Sequence, residues 1–559
     1  MSAKPASGFT GSLRSNPSRR RLLQRAVGLW APLLVFLVLS GYQLSLPGLH
    51  YDEAREAGLN AMQLLTAQPV DAFRGSGVRL AGQLFPWMVQ DYIGALNSYL
   101  AIPFLAALGV GPVSLRLLGL VIAAATVVLA HRLAGHWGGP LGAGVAAWLL
   151  AVSPSFVFWS RQGIFVTNVT GLLGVAAVLL AARLVAGRRP WTHWFALGVL
   201  CGLGLWAKLL FVWIMGAGAI WVILQWLWAV GRSRSGGRFW SWRGLLAGVA
   251  GLSLGLAPLL GFNWQTSGTF IAVFSNLSRS YYGVDNADFL NNVARRAAQL
   301  VDVWRGDHFW YLGGVEANPL APWLGGALVV GAILVGAARR RTGVAGLGPV
   351  IGGIAFAAAY LAQSAFTVSD LFVTHFAAGW PLLIVAVAVS AGMLGRLGGR
   401  VGLAAVVVIV LPWLAGDLTT DVRYHAALMR SGGHSSHSDA IYTLARLLDD
   451  GTGAPVIAMD WGIDAPVRFL TAGRVRPVEL FGYESLDAPN PALSESWRQF
   501  LSLRGTRFVF HAPEDTIFRG RYESLLDLAR SSGLSPQGPQ VIAERTGRPL
   551  FWIITFDGP

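Results

Sequence analysis

Residues 28–54 read GLWAPLLVFLVLSGYQLSLPGLHYDEA, an apolar run without a charge over 28–46 that gives way to Leu49-His50-Tyr51-Asp52-Glu53-Ala54. The run approaches the ~20 apolar residues needed to cross a bilayer. Arg19-Arg20-Arg21 and Arg25 precede it as a basic region precedes a secretion signal, but no small-residue cleavage motif follows, so it reads as a retained anchor. Ten comparable runs lie at about 115–134, 140–159, 165–186, 193–210, 211–230, 243–263, 321–338, 344–363, 374–394 and 401–418. The chain therefore reads as a multi-span α-helical membrane protein with about eleven transmembrane helices.

Composition agrees. The 559 residues are 54% hydrophobic and 13% charged, with mean hydropathy +0.52. Soluble domains carry roughly 25% charged residues, so a water-soluble globule is excluded. The net charge of +15 is unevenly spread: residues 1–418 hold 29 basic and 12 acidic groups, whereas the chain from Asp421 holds 14 Arg and 16 acidic residues. The basic excess lies between apolar runs rather than along one face, so nucleic acid is not an expected partner. Cys201 is the single cysteine, which excludes internal disulfides and Cys-rich metal sites.

Sidedness follows from the loops. With the N-terminus inside, Arg188-Arg189, Arg232, Arg234, Arg238, Arg339-Arg340-Arg341, Arg396 and Arg400 all fall on the cytoplasmic side, as positive charge requires. The same alternation places Asp52, Glu53, Glu56, Asp71, Asp91, Asp285, Asp288, Asp302, Asp307, Glu316, Asp370 and Asp417 outside. The expected organisation is a basic cytoplasmic tail over 1–26, a membrane domain over 27–420 with external loops 47–114 and 264–320, and a small external α/β domain over 421–559. Helix-like stretches are expected at Asp52–Leu65 and about Val89–Leu108. The tail alternates pieces at Asp439–Leu448, Pro455–Met459, Asp464–Leu470, Ser494–Leu501, Arg507–His511, Tyr522–Arg530 and Leu550–Phe556.

Polar residues that could do chemistry gather at the outer ends of spans. Asp52 could act as a general base on an acceptor hydroxyl or amine, with Glu53 orienting it, holding a metal or raising its pKa; the pair would equally suit the first turn of a solvated helix. Lys208 and Lys4 are the only lysines, and Lys208 lies late in an apolar run. An ammonium there could bind a lipid-linked phosphate or snorkel to the interface. Arg116 and Arg161 could face anionic headgroups or a diphosphate. His375, ahead of Pro381, could be a ligand or a hydrogen-bonded structural residue. The aromatics Trp264, Tyr281, Tyr282, Trp304, Trp310 and Tyr311 could stack on a sugar or form an interfacial belt.

Several of these stretches together resemble a known family. Asp52-Glu53 after the first span, Tyr92-Ile93-Gly94-Ala95-Leu96, Leu115-Arg116-Leu117-Leu118-Gly119, Ser153-Pro154 with Ser160-Arg161, Gly202–Lys208, and Thr374-His375-Phe376 with Pro381 are similar in order and sidedness to the GT-C fold of polyprenyl-phosphate-sugar-dependent glycosyltransferases. The branch resembled holds protein O-mannosyltransferases and the lipid A aminoarabinose transferase. The resemblance spans residues 20–420. It implies transfer of a sugar, with inversion, from a polyprenyl phosphate to a protein, lipid or polysaccharide acceptor at the outer face of the cell membrane. Asp52 would be the base, Glu53 would support Asp52 or a divalent cation, and Lys208 would hold the leaving phosphate, helped by Arg116 or Arg161, with His375 also among the substrate- or phosphate-binding residues. One departure is plain: many relatives carry an Asp early in the span beginning near 165, where this chain has Phe165-Val166-Thr167-Asn168. A transporter or flippase of lipid-linked saccharides would show repeats and midplane polar residues, which the chain lacks. A catalytically inactive assembly subunit is opposed by Asp52 and Lys208 and favoured by the missing Asp near Asn168.

Overall fold

The computed structural model describes residues 26–162, 167–187, 190–230, 241–339 and 346–557. The N-terminal tail with Lys4, Arg19–Arg21 and Arg25, the basic positions 188, 189, 232, 234, 238, 340 and 341, and Phe165 with Val166 lie outside the described residues.

Among the described residues six helices are long and apolar enough to cross a membrane: Pro112–Val152, Asn168–Ala186, Phe211–Val230, Trp242–Thr266, Ala321–Arg339 and Trp380–Ser431. Two of them reverse on themselves. Gly139 leaves the helical region at φ 69°, and a Cβ on Gly135 would stand 3.3 Å from that of Ala143, eight residues on, so the chain folds back there. Gly399 (φ 59°) breaks Trp380–Ser431 in the same way, with Gly402 pressed on the Leu394 carbonyl. Positive φ costs L-residues a Cβ clash that glycine avoids. Counted as two passes each, and joined by the shorter apolar helices Ala26–Gly41, Trp191–Ala207 and Gly348–Ser364, they supply the eleven expected spans. Helices Trp191–Ala207 and Trp242–Thr266 meet through Gly198 and Gly202 against Gly248, Leu252 and Gly255. Small residues let backbones approach where lipid offers no hydrophobic drive.

The last helix does not end near 418. It continues to Ser431, where Gly432 caps it at φ 71°. Thr420, Asp421, Tyr424, Ala427, Leu428 and Ser431 are buried along this extension, at the three-and-four spacing of one helix face.

The loop over 47–114 is less helical than expected. Tyr51–Glu53, Ala54–Gly58 and Leu59–Leu65 form a continuous helical stretch, but Val89–Leu108 is not one helix. A hairpin, β1 (Gly77–Leu80) with β2 (Gln83–Pro86), precedes a second pair, β3 (Met88–Gln90) with β4 (Ile93–Gly94), and only Leu96–Leu108 is helical. The β1–β2 turn sits on Ala81 (φ 49°) and Gly82 (φ 82°), the two positive values of a hairpin turn that suits strand twist.

The tail is a three-layer α/β unit. Its sheet runs β6 (Val478–Glu479), β5 (Val456–Ala458), β7 (Arg507–His511), β9 (Pro549–Asp557), β8 (Ser535–Ala543), parallel across the first three and antiparallel across the last three. Helices Ala440–Leu448 and Asp464–Leu470 cover one face through Leu444 and Val467, and Ala492–Leu501 and Arg521–Ser531 cover the other through Trp497 and Leu525. Helix Asp464–Leu470 also docks the tail on the loop over 47–114, with Phe469 packed on Gly58 and Arg468 paired with Asp71.

Candidate active site

The first span stops at Gly41 and the chain then needs an anchor, because its carbonyls have left the helix. Arg116 provides it. Its Nε and Nη2 donate to the two Glu53 oxygens at 2.8 and 3.0 Å, Nη1 donates to the carbonyls of Leu44 and Pro47 at 2.9 Å each, and Nη2 also reaches Gly48 at 3.3 Å. Every guanidinium N–H is thereby used, and the side chain is fully buried. Arg161 does the same for the preceding turn, donating to the carbonyls of Tyr42 and Gln43 and approaching His425 Nδ1 at 3.5 Å. Both arginines are turned to backbone rather than to an open cleft, which leaves no donor of Arg116 for a phosphate. Glu53 has each oxygen hydrogen-bonded by Arg116, and among the described residues no group of three or more His, Cys, Asp or Glu is arranged to hold a metal.

With the turn fixed, the helix carrying Asp52 begins at Tyr51. The Asp52 amide donates to Nδ1 of the capping residue His50 at 3.2 Å. The Asp52 side chain is 20% exposed. Burial raises its pKa to about 6 against the opposing pull of Lys208. A carboxyl so poised is suited to accept a proton near neutral pH.

Lys208 enters the electrostatic neighbourhood of this carboxylate from another element. Helix Trp191–Ala207 ends just before it, and Lys208 is extended (φ −159°, ψ 129°). Strand β4 supports it: Ile93 bridges to Lys208, and the Leu209 amide donates to the Tyr92 carbonyl at 3.0 Å. Gly94 lies directly on the Trp206 carbonyl, an approach that any Cβ would block. Lys208 is 3% exposed and lies within the electrostatic reach of Glu56 and Asp52. Asp52 and Lys208 therefore share one side of the bundle and one electrostatic neighbourhood.

His375 is adjacent to that neighbourhood. It sits in the 3₁₀ turn Val373–Ala378, edge-on to Trp213 at 5.9 Å and to Phe372 at 5.7 Å, with Lys208 and Arg296 in its field. Arg296 is pinned over the Phe376 ring at 4.1 Å and donates to the Phe372 carbonyl at 2.9 Å. Asn168 donates to the Trp159 carbonyl at 3.0 Å and, with Glu53 and Asn97, lines a narrow internal cavity.

Three residues that the sequence placed only as an outer-side acid (Glu56), part of a family-like stretch (Tyr92) and a sugar-stacking aromatic (Tyr282) join this cluster. Glu56, 3% exposed, is one helical turn beyond Asp52, and that i,i+4 spacing was the available signal. Tyr92 feels Asp52, Glu56 and Tyr282, and Tyr282 in turn feels Asp52. No local spacing brings Tyr92 and Tyr282 to Asp52; their approach is tertiary.

No known protein family and no curated protein matches the sequence. Solved structures do match. ArnT from Cupriavidus metallidurans bound to undecaprenyl phosphate superposes with a TM-score of 0.56 at 13% identity, covering 96% of this chain and 98% of that one. The apo state of the same protein gives a TM-score of 0.57 at 13% identity and the same coverage. Over nearly the whole of both chains the likeness is one of fold: this chain is a multi-span membrane protein of the GT-C fold with a C-terminal sheet domain.

Proposed function

We propose that the chain is a membrane glycosyltransferase that moves a pentose or hexose from a polyprenyl-phosphate donor to an acceptor at the outer face of the cell membrane, with the N-terminus inside and the tail domain outside. The observation that carries the reading is the placement of Asp52 and Lys208, a poised carboxylate and a buried ammonium from different elements in one electrostatic neighbourhood. The fold adds support, because a protein sharing it was solved bound to undecaprenyl phosphate.

In this reading the acceptor hydroxyl or amine attacks C1 of the sugar. The bond from C1 to the phosphate oxygen breaks with its electron pair, the acceptor proton passes to Asp52, and C1 inverts. Charge develops on the departing phosphate, so a fixed ammonium there lowers the barrier. Lys208 supplies that charge, and His375 stands next to it. Glu53 supports Asp52 through the Arg116 clamp rather than by touching substrate, and Arg161 holds the preceding turn. The acceptor class, whether protein, lipid or polysaccharide, enters from the side of the external loops.

The test is to reconstitute the purified protein in proteoliposomes with a panel of polyprenyl-phosphate sugars and candidate acceptors, reading free polyprenyl phosphate by mass spectrometry. Acceptor-dependent release with one donor, absent in Asp52→Asn, is expected. Release from no donor, or equal release by the Asn variant, overturns the reading.

A further inference from the structure

The residue that caps the Asp52 helix is not one of the usual side chains. N-caps favour Ser, Thr, Asp or Asn, whereas this one is His50, whose Nδ1 accepts the Asp52 amide proton at 3.2 Å. An imidazole that accepts at Nδ1 carries its proton at Nε2. Nδ1 thus holds no proton to give the Asp52 carboxylate, which stands 3.7 Å away. Were Nδ1 protonated, the cap would be lost and the ring would instead donate to the carboxylate and tie up the base.

Three other segments hold that ring in place. His437, in the turn Ser435–His437 between the last span and the tail domain, stacks on His50 with centroids 4.2 Å apart and planes 13° apart. Tyr311, from the second external loop, stacks on the far side of His437 at 3.9 Å and 15°. The Tyr311 hydroxyl donates to Gln162, at the end of Pro154–Gln162, at 2.6 Å. Trp461 of the tail closes edge-on against His50 at 5.7 Å. The backbone ties match: the Gly48 amide donates to the His437 carbonyl at 2.7 Å, and the His434 amide to the Tyr311 carbonyl at 2.9 Å. All three stacked rings are buried. Burial also lowers the His50 pKa to about 4, in keeping with a neutral ring.

We propose that the His50–His437–Tyr311 stack is a positioning device: it locks the His50 ring as the acceptor that caps the Asp52 helix, fixing the Asp52 carboxylate toward the site and tying its placement to the seating of the tail domain. The proposal rests on the reading of Asp52 as the base. His50 is here a positioning residue, acting through Asp52.

Two conservative and two disruptive variants test it in the reconstituted full-length protein. His50→Asn keeps an acceptor for the cap, and His437→Phe keeps a stacking ring. His50→Leu keeps bulk without an acceptor, and His437→Ala removes the ring. Loss of one N-cap predicts that His50→Leu and His437→Ala lower kcat about five- to tenfold with donor KM within about twofold. His50→Asn and His437→Phe should retain kcat within about threefold of the parent. Parental kcat in His50→Leu overturns the proposal. So do conservative variants that fall as far as the disruptive ones, or a donor KM that rises in step with the loss of kcat. Asp52→Asn, run alongside, separates the failures: an active Asn variant removes the base assignment and this inference together, whereas an inactive one beside a fully active His50→Leu removes only the inference.

Discussion

Arg116 gives both oxygens of Glu53 a hydrogen bond, at 2.8 and 3.0 Å, in a place where neither side chain is more than 2% exposed. Breaking a buried pair strands a charge and costs about 3–5 kcal/mol, whereas replacing both partners by apolar residues costs less. Glu53→Gln and Arg116→Met should therefore each lower the thermal midpoint in detergent more than the double variant Glu53→Met/Arg116→Met. Single variants that melt with the parent would show that the pair is not holding the turn.

Asp52 should govern the acid side of activity. Its pKa is raised to about 6 by burial, and a general base works only when deprotonated. Transfer should rise with pH and reach half its plateau near pH 6. Asp52→Asn should cost roughly 10²- to 10⁴-fold, the usual worth of a positioned base. A rate flat from pH 5 to 8 would contradict the assignment.

Lys208 opposes the upward shift of Asp52, so its removal should move the acid limb to higher pH as well as weaken the donor. Losing a hydrogen bond to a charged group is worth ~1.5–3 kcal/mol, or about 10- to 150-fold in affinity. Lys208→Ala should show both effects, with acceptor KM little changed. Titration with a polyprenyl phosphate and a pH–rate profile measure them independently.

Glu479 supplies a stability test outside the site. Burial, with repulsion from Asp464, raises its pKa from 4.5 to about 7. Below the unfolded value both states hold the proton and the group has no effect. Between 4.5 and 7 only the unfolded state ionises, so the folded state loses ground as pH rises. Glu479→Gln should raise stability at pH 8 by at most about 3 kcal/mol and leave it unchanged at pH 4. Equal melting of the two proteins at pH 8 would refute this.

Spans could be read from the sequence because a bilayer leaves backbone groups no partner but their own helix; even the passes folded back at Gly139 and Gly399 were separable. Most tail elements were readable from their apolar periodicity. The strand Ser535–Ala543 was not, because Pro536, Gly538 and Pro539 place it at an edge where ladder bonds are not all required. Asp52 and Lys208 stood out as charges beside apolar runs. The work of Arg116 and Arg161 did not, because their acceptors are mainly main-chain carbonyls, which every residue carries. The meeting of His50 with His437 and Tyr311 depends on tertiary approach and leaves no local pattern.

The strand that bridges Ile93 to Lys208 makes the ammonium the property of two distant segments at once. One residue added or lost between Trp87 and Gly94 would shift the ruler against which Lys208 is set, while the helix beneath stayed whole. Transplanting the span alone into another bundle would carry the lysine across but not its address.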